Sequence, residues 1–358
     1  MSLAQRQELR RQELPRQELS RPEAPRRLRK PLRFLFAAAC LTAAVTQASA
    51  QDQIKIGYGY GLAFLPIYIC EDQKLIEKHA KEAHLDVKVD YQRFTGAAEM
   101  QAALASGEIN IAPLGTAPLL AAWDKGKGKS TQVYAISGMT SLPLTLLSNQ
   151  PDVASLGDIK PGDRIAMPTL TSPQMYLLEL QSEKAFNRYD QLKSQVVALT
   201  HADAINGLVD GTGPVKAYFA SPPYAELALR DAKVHAVLSS SDVMGGKFSF
   251  LMLGSTKAYI GAQPQVPEAV EKAMDEAARI IHDDPRRASQ IYLTHEPSDV
   301  MNGAAVETVI RQIRDEFGGN VYGVKTVADF MARHGALAAA PQSFKDIAAS
   351  ALANTPSN

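Results

Sequence analysis

The sequence predicts an α/β protein made of two doubly wound lobes joined by a two-strand hinge. From Ile54, short apolar runs alternate with helical stretches: "IKIGYG", Pro66 to Ala80, "DVKVDYQRF", Ala97 to Gly107, then "INIAPLG". This βαβαβ order implies a mostly parallel sheet with helices on its faces, and ligands collect at the carboxyl ends of such strands. A second series of the same kind comes later: "DRIAMPTLTS", a helix from Pro173 to Ala185, "SQVVALTHAD", a helix from Ala204, "VKAYFASPPY", a helix from Ala225, and "KVHAVLSSSD". Between the two, "QVYAISGMTSLPLTLLSN" reads as two apolar strands joined through Gly138 to Pro143, and "GGKFSFLMLGS" restores a strand after a double glycine. The chain therefore crosses from one lobe to the other near 140 and returns near 248. Beyond this strand the chain is mostly helical, with amphipathic stretches at Pro267 to Ile281, Pro285 to Tyr292, Ala304 to Phe317 and Val327 to His334.

The first fifty residues read as a targeting segment. Met1 to Arg33 is basic and carries "RQEL" three times at a five-residue period from Arg6, Arg11 and Arg16. Phe34 to Val45 is a charge-free apolar run, and Ala48-Ser49-Ala50 is the small-x-small pattern that a signal peptidase cuts after. The run is short for a membrane span of about 20 residues. Cleavage after Ala50 and a periplasmic destination are expected, with a lipid-anchored form at Cys40 as the lesser reading. Arg26-Arg27 is a poor match to a twin-arginine signal. The expected layout is a signal peptide at 1–50, the first part of lobe 1 at 51–142, lobe 2 at 143–248, the helical return to lobe 1 at 249–340 and a tail at 341–358.

Charge divides at the same boundary. Of 38 basic and 38 acidic residues in the 358-residue chain, the leader holds ten and four, leaving a mildly acidic body of 28 against 34. Such a body lacks the basic face that binding to a phosphate backbone requires, so no nucleic-acid partner is expected. The mature part keeps one cysteine, Cys70, so it forms no internal disulfide, and Cys70 reads as a small core residue. The histidines show no ligand spacing such as H-E-x-x-H, and neither a metal nor a cofactor is expected.

Two stretches invite a nucleotide reading, and both fail it. "KIGYGYGLAFLPIY", from Lys55 to Tyr68, has a strand-loop-helix context, but the last glycine of G-x-G-x-x-G would stand at Leu62 or Phe64. Gly128-Lys129-Ser130 resembles the tail of a phosphate-binding P-loop, yet the leading glycine position is Trp123.

The informative regularity lies at the predicted helix starts. After successive strands come "TGAAEM" at Thr95, "GTAPLL" at Gly115, "TSPQMY" at Thr171, "HADAIN" at His201 and "SPPYAEL" at Ser221. Each places a small, hydroxyl or cap-forming residue where unpaired backbone N–H groups emerge. One such start is an ordinary helix cap. Several converging from two lobes form a site for an anion, with donors and positive dipole ends aimed inward. The cations nearest these motifs in sequence are Arg93 and Lys216, so hydroxyls and amides are expected to hold the anion. Tyr58, Tyr60 and Phe64 favour an organic body attached to it. His201 either donates to a ligand oxygen or caps its own helix.

The stretches "IKIGYGYG…LPIYICEDQKLIEKH", "TGAAEMQAALASGEINIAPLGTAPLLAA" and "IAMPTLTSPQMYLLE" resemble the periplasmic solute-binding proteins of ABC importers in the nitrate, sulfonate, taurine and bicarbonate family. The resemblance covers essentially the whole mature chain. It implies the two-lobed periplasmic binding protein fold of type 2, closing over a small anion and docking on an ABC permease, with no enzymatic activity. The family's first-strand loop matches Tyr58 to Phe64, its G-T-x-P turn Gly115 through Pro118, including Thr116, and its second-lobe cap Thr171, Ser172 and Gln174. Where the family often has Trp-Glu-Pro, this chain has "FASPPYAEL", with Ser221 and two prolines ahead of Tyr224. The expected solute is a sulfonate- or carboxylate-like organic anion taken up by a monomer. The same lobes occur in thiamine-pyrimidine synthases, so an enzyme of that branch is one alternative and a periplasmic sensor module another.

Overall fold

The computed structural model describes residues 52–298, 301–349 and 352. The expected leader lies outside them. The chain begins with β1 (Asp52–Tyr58), α1 (Leu65–Gln73), α2 (Leu75–Glu82), β2 (Val87–Arg93), α3 (Ala97–Ser106), β3 (Ile111–Gly115), α4 (Thr116–Lys125) and β4 (Val133–Thr140). It continues through β5 (Thr145–Ser148), β6 (Arg164–Met167), α5 (Pro173–Phe186), β7 (Val196–Ala198), α6 (His201–Asp210), β8 (Val215–Ala220), α7 (Tyr224–Ala228), β9 (His235–Ser239) and α8 (Ser240–Met244). It ends with β10 (Leu251–Thr256), α9 (Lys257–Ala262), α10 (Val266–Asp283), α11 (Pro285–His295), α12 (Gly303–Ile313) and α13 (Val324–Arg333).

These strands form two five-stranded sheets, in the orders β2-β1-β3-β10-β4 and β7-β6-β8-β5-β9. One sheet anchors each lobe of an α/β, two-lobed fold. The chain passes between them at 141–144 and again at 245–250. In each sheet the first strand after a crossing is the antiparallel one: β5 runs against β8 and β9, and β10 against β3 and β4. The remaining β1, β2, β3 and β6, β7, β8 pairings are parallel. Parallel strands buried on both faces need continuous apolar runs, and β3 supplies one with all five residues buried.

The returning segment is tied to the end of β4, and the outgoing one to the start of α8. Phe250 N–H donates to the Thr140 carbonyl at 2.8 Å, Ser240 N–H to the Leu144 carbonyl at 2.7 Å, and Leu144 N–H to Ser240 Oγ at 3.1 Å. The main hydrophobic cluster includes residues of both lobes, and a smaller one lies under α6 and β8 around Leu147, Ala204, Leu208 and Tyr218. Cys70 is fully buried, its Sγ 3.6 Å from the Ala273 carbonyl, and burial pushes its thiol well above the usual range. Among the described residues no helix is long and apolar enough to cross a membrane.

Two elements differ from the sequence reading. The expected helix from Pro66 to Ala80 is two helices, because Lys74 adopts a left-handed conformation (φ 53°) that ends α1 and begins α2. Gly138 lies inside β4 and not in a connector, and the strand runs on to Thr140.

Candidate functional site

A cavity of about 550 Å³ lies between the two sheets, lined by residues of both lobes. Four helices of eight or more residues start at it. Those of α3 and α4 follow N-caps Gly96 and Gly115, and those of α5 and α6 follow Ser172 and Thr200. Each N-cap has extended backbone, which turns the first N–H groups of the helix outward. Thr200 caps its helix conventionally, its side chain accepting from Asp203 N–H at 3.2 Å. Ser172 makes no such cap bond. Its Oγ and the Oε1 of Gln174 are buried without a hydrogen-bond partner among the described residues, although Ser172 is only 6% and Gln174 only 2% exposed. Buried polar atoms are nearly always paired, so these two stand out in the lining; the Ser172 hydroxyl can donate, whereas the Gln174 oxygen only accepts.

The two walls differ in polarity. Lobe 1 contributes Phe64, Phe94, Met100, Pro118, Phe250 and Leu251 together with the polar Thr95 and Gln101, and the ring of Tyr60 is 45% exposed. Lobe 2 contributes more hydrogen-bonding groups, at Thr169, Thr171, Ser172, Gln174, Thr200, His201, Ser221 and Tyr224, beside the apolar Pro168, Pro173, Leu199 and Ala202. Among the described residues no Lys, Arg, Asp or Glu lines the cavity. The polar side chains of the lining are hydroxyls, amides and the His201 imidazole.

Of the residues singled out in the sequence, Tyr60, Phe64, Thr95, Gly115, Thr171, Ser172, Gln174, His201, Ser221 and Tyr224 line this cavity. Tyr58 and Thr116 stand back from it. Tyr58 is buried, with Tyr68 edge-on at 5.6 Å and the Arg93 guanidinium 5.1 Å from its ring. Thr116 is fully buried and its hydroxyl donates to the Ser249 carbonyl at 2.6 Å, tying the start of α4 to the returning crossing segment.

His201, at the first position of α6, stacks on Tyr224 with ring centroids 3.9 Å apart and planes within 10°. Its Nδ1 is hydrogen-bonded to the hydroxyl of fully buried Tyr218. Burial depresses its pKa from 6.5 to about 4, so the imidazole is neutral at physiological pH.

The first loop is held from behind by Glu296, immediately after α11. Gly61 N–H donates to Oε1 at 2.6 Å, the Tyr68 hydroxyl lies 2.5 Å from the same oxygen, and the Tyr292 hydroxyl donates to Oε2 at 3.1 Å. Gly61 has φ 100°, and a Cβ there would come within 3.3 Å of the Tyr224 ring. Tyr224, whose hydroxyl is pushed up by burial and by the Glu296 carboxylate, thus reaches lobe 1 from lobe 2. Arg93 lies against Tyr58, Tyr60 and Tyr68 and donates to the His295 carbonyl at 3.1 Å, behind the loop and not in the cavity. A second close approach is at Gly115, where a Cβ would sit 2.5 Å from Cγ of Pro173 across the cleft.

Sequence reasoning did not single out Thr169, Thr200, Phe94, Met100, Phe250, Tyr218 or Glu296. Thr200 had a signal, since Thr-x-x-Asp before an apolar run marks a cap. Phe250 had none, because it arrives on the returning crossing segment, far from the other wall residues in sequence.

The model of the NMT1-like family matches residues 47–293. No curated protein sequence matches the chain. Among solved structures it is similar to the periplasmic aliphatic sulphonate binding protein SsuA from Escherichia coli, with a TM-score of 0.65 at 16% identity, covering 85% of this chain and 99% of that one. The alkanesulfonate-binding protein SsuA from Xanthomonas axonopodis pv. citri, bound to MOPS, gives 0.64 at 16% identity, over 87% and 100%. The periplasmic nitrate-binding protein NrtA from Synechocystis PCC 6803 gives 0.54 at 13% identity, over 73% and 70%. At these identities the likeness establishes a shared fold, the one the sequence resemblance implied. The family match extends over more than half of the residues, and the chain belongs to the NMT1-like family.

Proposed function

We propose that the chain is an exported ABC-importer solute-binding protein that captures a small organic anion in the cleft between its lobes and delivers it to a membrane permease. The observation that carries this reading is the cavity itself. Helix starts from both lobes open on one hollow that, among the described residues, has no charged side chain in its lining, and the buried Ser172 hydroxyl there is a donor with no partner among those residues. Its volume falls within the usual 300–1,000 Å³ of small-ligand sites. The polarity of the walls orients the solute: its oxyanion meets the helix starts and hydroxyls of lobe 2, and its apolar body lies against Phe64, Phe94, Met100 and Phe250 of lobe 1. A sulfonate or carboxylate on an alkyl or aryl group has that shape, and the sulfonate-binding neighbours support the same class.

Closure is the mechanism. Contacts made by both lobes to one solute exist only in the shut state, so binding shifts the population toward it. No covalent step is needed, and the protein acts as a monomer. Among the lining side chains the titratable groups are Tyr60, His201 and Tyr224.

Thermal-shift screening against alkanesulfonates, aromatic carboxylates and nitrate, with neutral and cationic organic solutes of similar size beside them, tests the proposal. A ligand held only by the native state at a hundred times its Kd adds about 2.7 kcal/mol and raises the melting temperature. A panel in which neutral or cationic solutes raise it and no anion does would overturn the reading. A permease and an ATPase encoded beside the gene would favour import over sensing.

A further inference from the structure

His201 is fixed on two sides. Tyr224 covers one face of its ring, and the Tyr218 hydroxyl bonds Nδ1. Tyr218 stands on β8 with no exposed surface, in the small apolar core with Leu147, Ala166, Ala204 and Leu208. Among the described residues its hydroxyl has no hydrogen-bond partner other than His201 Nδ1.

That pairing decides where the imidazole proton sits, because a neutral ring has one N–H donor and one acceptor nitrogen. If Nδ1 carried the proton it would donate to the phenol oxygen, and the phenol's own hydrogen would be left without an acceptor inside an apolar core. An orphaned buried donor pays the full desolvation penalty. If the phenol donates to Nδ1 instead, nothing is orphaned on that side. The proton then resides on Nε2, at the opposite edge of a ring that lines the cavity.

We propose that Tyr218 is a positioning residue that locks His201 as the Nε2–H tautomer, so that the lobe 2 wall presents a neutral N–H donor to an acceptor oxygen of the solute. The second half rests on the solute-binding reading above. It assigns a selectivity: an oxyanion oxygen is accepted at this point, and a solute placing an N–H donor or a cationic group there is refused because two donors would face each other.

Nitrogen NMR of the ¹⁵N-histidine-labelled protein reads the tautomer without any ligand. The expected result is a pyrrole-like Nε2 and a pyridine-like Nδ1 for His201 in the wild type, with a mixture in Tyr218→Phe. A wild-type ring protonated at Nδ1, or an unchanged tautomer ratio in Tyr218→Phe, would overturn the proposal. Calorimetric titration with 1-butanesulfonate and with benzoate supplies the second arm. For whichever of these binds the wild type, Tyr218→Phe is expected to weaken binding about tenfold, and the double variant with His201→Ala to be no weaker than His201→Ala alone. Additive losses would sink the linkage. Failure of both anions to bind the wild type would count against the functional reading, while the tautomer measurement would still decide this one.

Discussion

The unpartnered hydroxyl of Ser172, which can donate to an anion, is the residue-scale feature most directly open to test. Replacing an orphaned polar group by an apolar one of similar shape is close to neutral for stability. Ser172→Ala is therefore expected to keep the melting temperature within a few degrees, since Ser172 makes no cap bond, while weakening anion binding about tenfold, as calorimetric titration would show. His201 adds a pH dependence of definite sign. Its folded pKa of about 4 lies below the ordinary 6.5, so between those values the unfolded state binds more protons. Its contribution is fully present above pH 6.5 and is lost as pH falls toward 4, by up to about 3 kcal/mol. Urea denaturation at pH 4.5 and 7.5 should show a smaller drop in His201→Gln than in the wild type. An equal drop would mean that other groups carry the acid sensitivity.

At the scale of elements, the start of α4 approaches the start of α5 closely across the cleft. A Cβ at Gly115 would lie 2.5 Å from the Pro173 ring, so Gly115→Ala must push the two helix starts apart. Circular dichroism is expected to stay native while anion affinity falls at least tenfold, since the shut state no longer fits. Retained affinity would show that the cleft closes elsewhere. The helix starts were legible in the sequence because capping has local chemistry: Thr-Ser-Pro leading into α5 and His-Ala-Asp opening α6 announce themselves, although the Thr200 cap itself was passed over. The apolar wall was not, because Phe94, Met100 and Phe250 come from three separate elements and look like any other core residue. Lys74 was missed for a similar reason. An isolated lysine does not signal the left-handed turn that divides α1 from α2, since that position is set by how both helices pack. Thr116 sat in the right motif but faces the returning segment, a direction that spacing does not encode.

For the whole molecule, the two sheets were foreshadowed by the repeated βαβ rhythm, whereas the antiparallel β5 and β10 and the order of strands within each sheet were not. Closure has a global readout. Small-angle scattering is expected to give a smaller radius of gyration with saturating anion than without, and an unchanged radius would mean that the cleft is rigid. The seclusion of Cys70 has a practical corollary for tracking that motion. With this sulfur sealed inside and poorly ionised, a cysteine introduced at the exposed rim position Tyr60 would be the reactive thiol among the described residues. A dye attached there would report solute arrival as a change in emission, making the native chain a ready chassis for an optical biosensor.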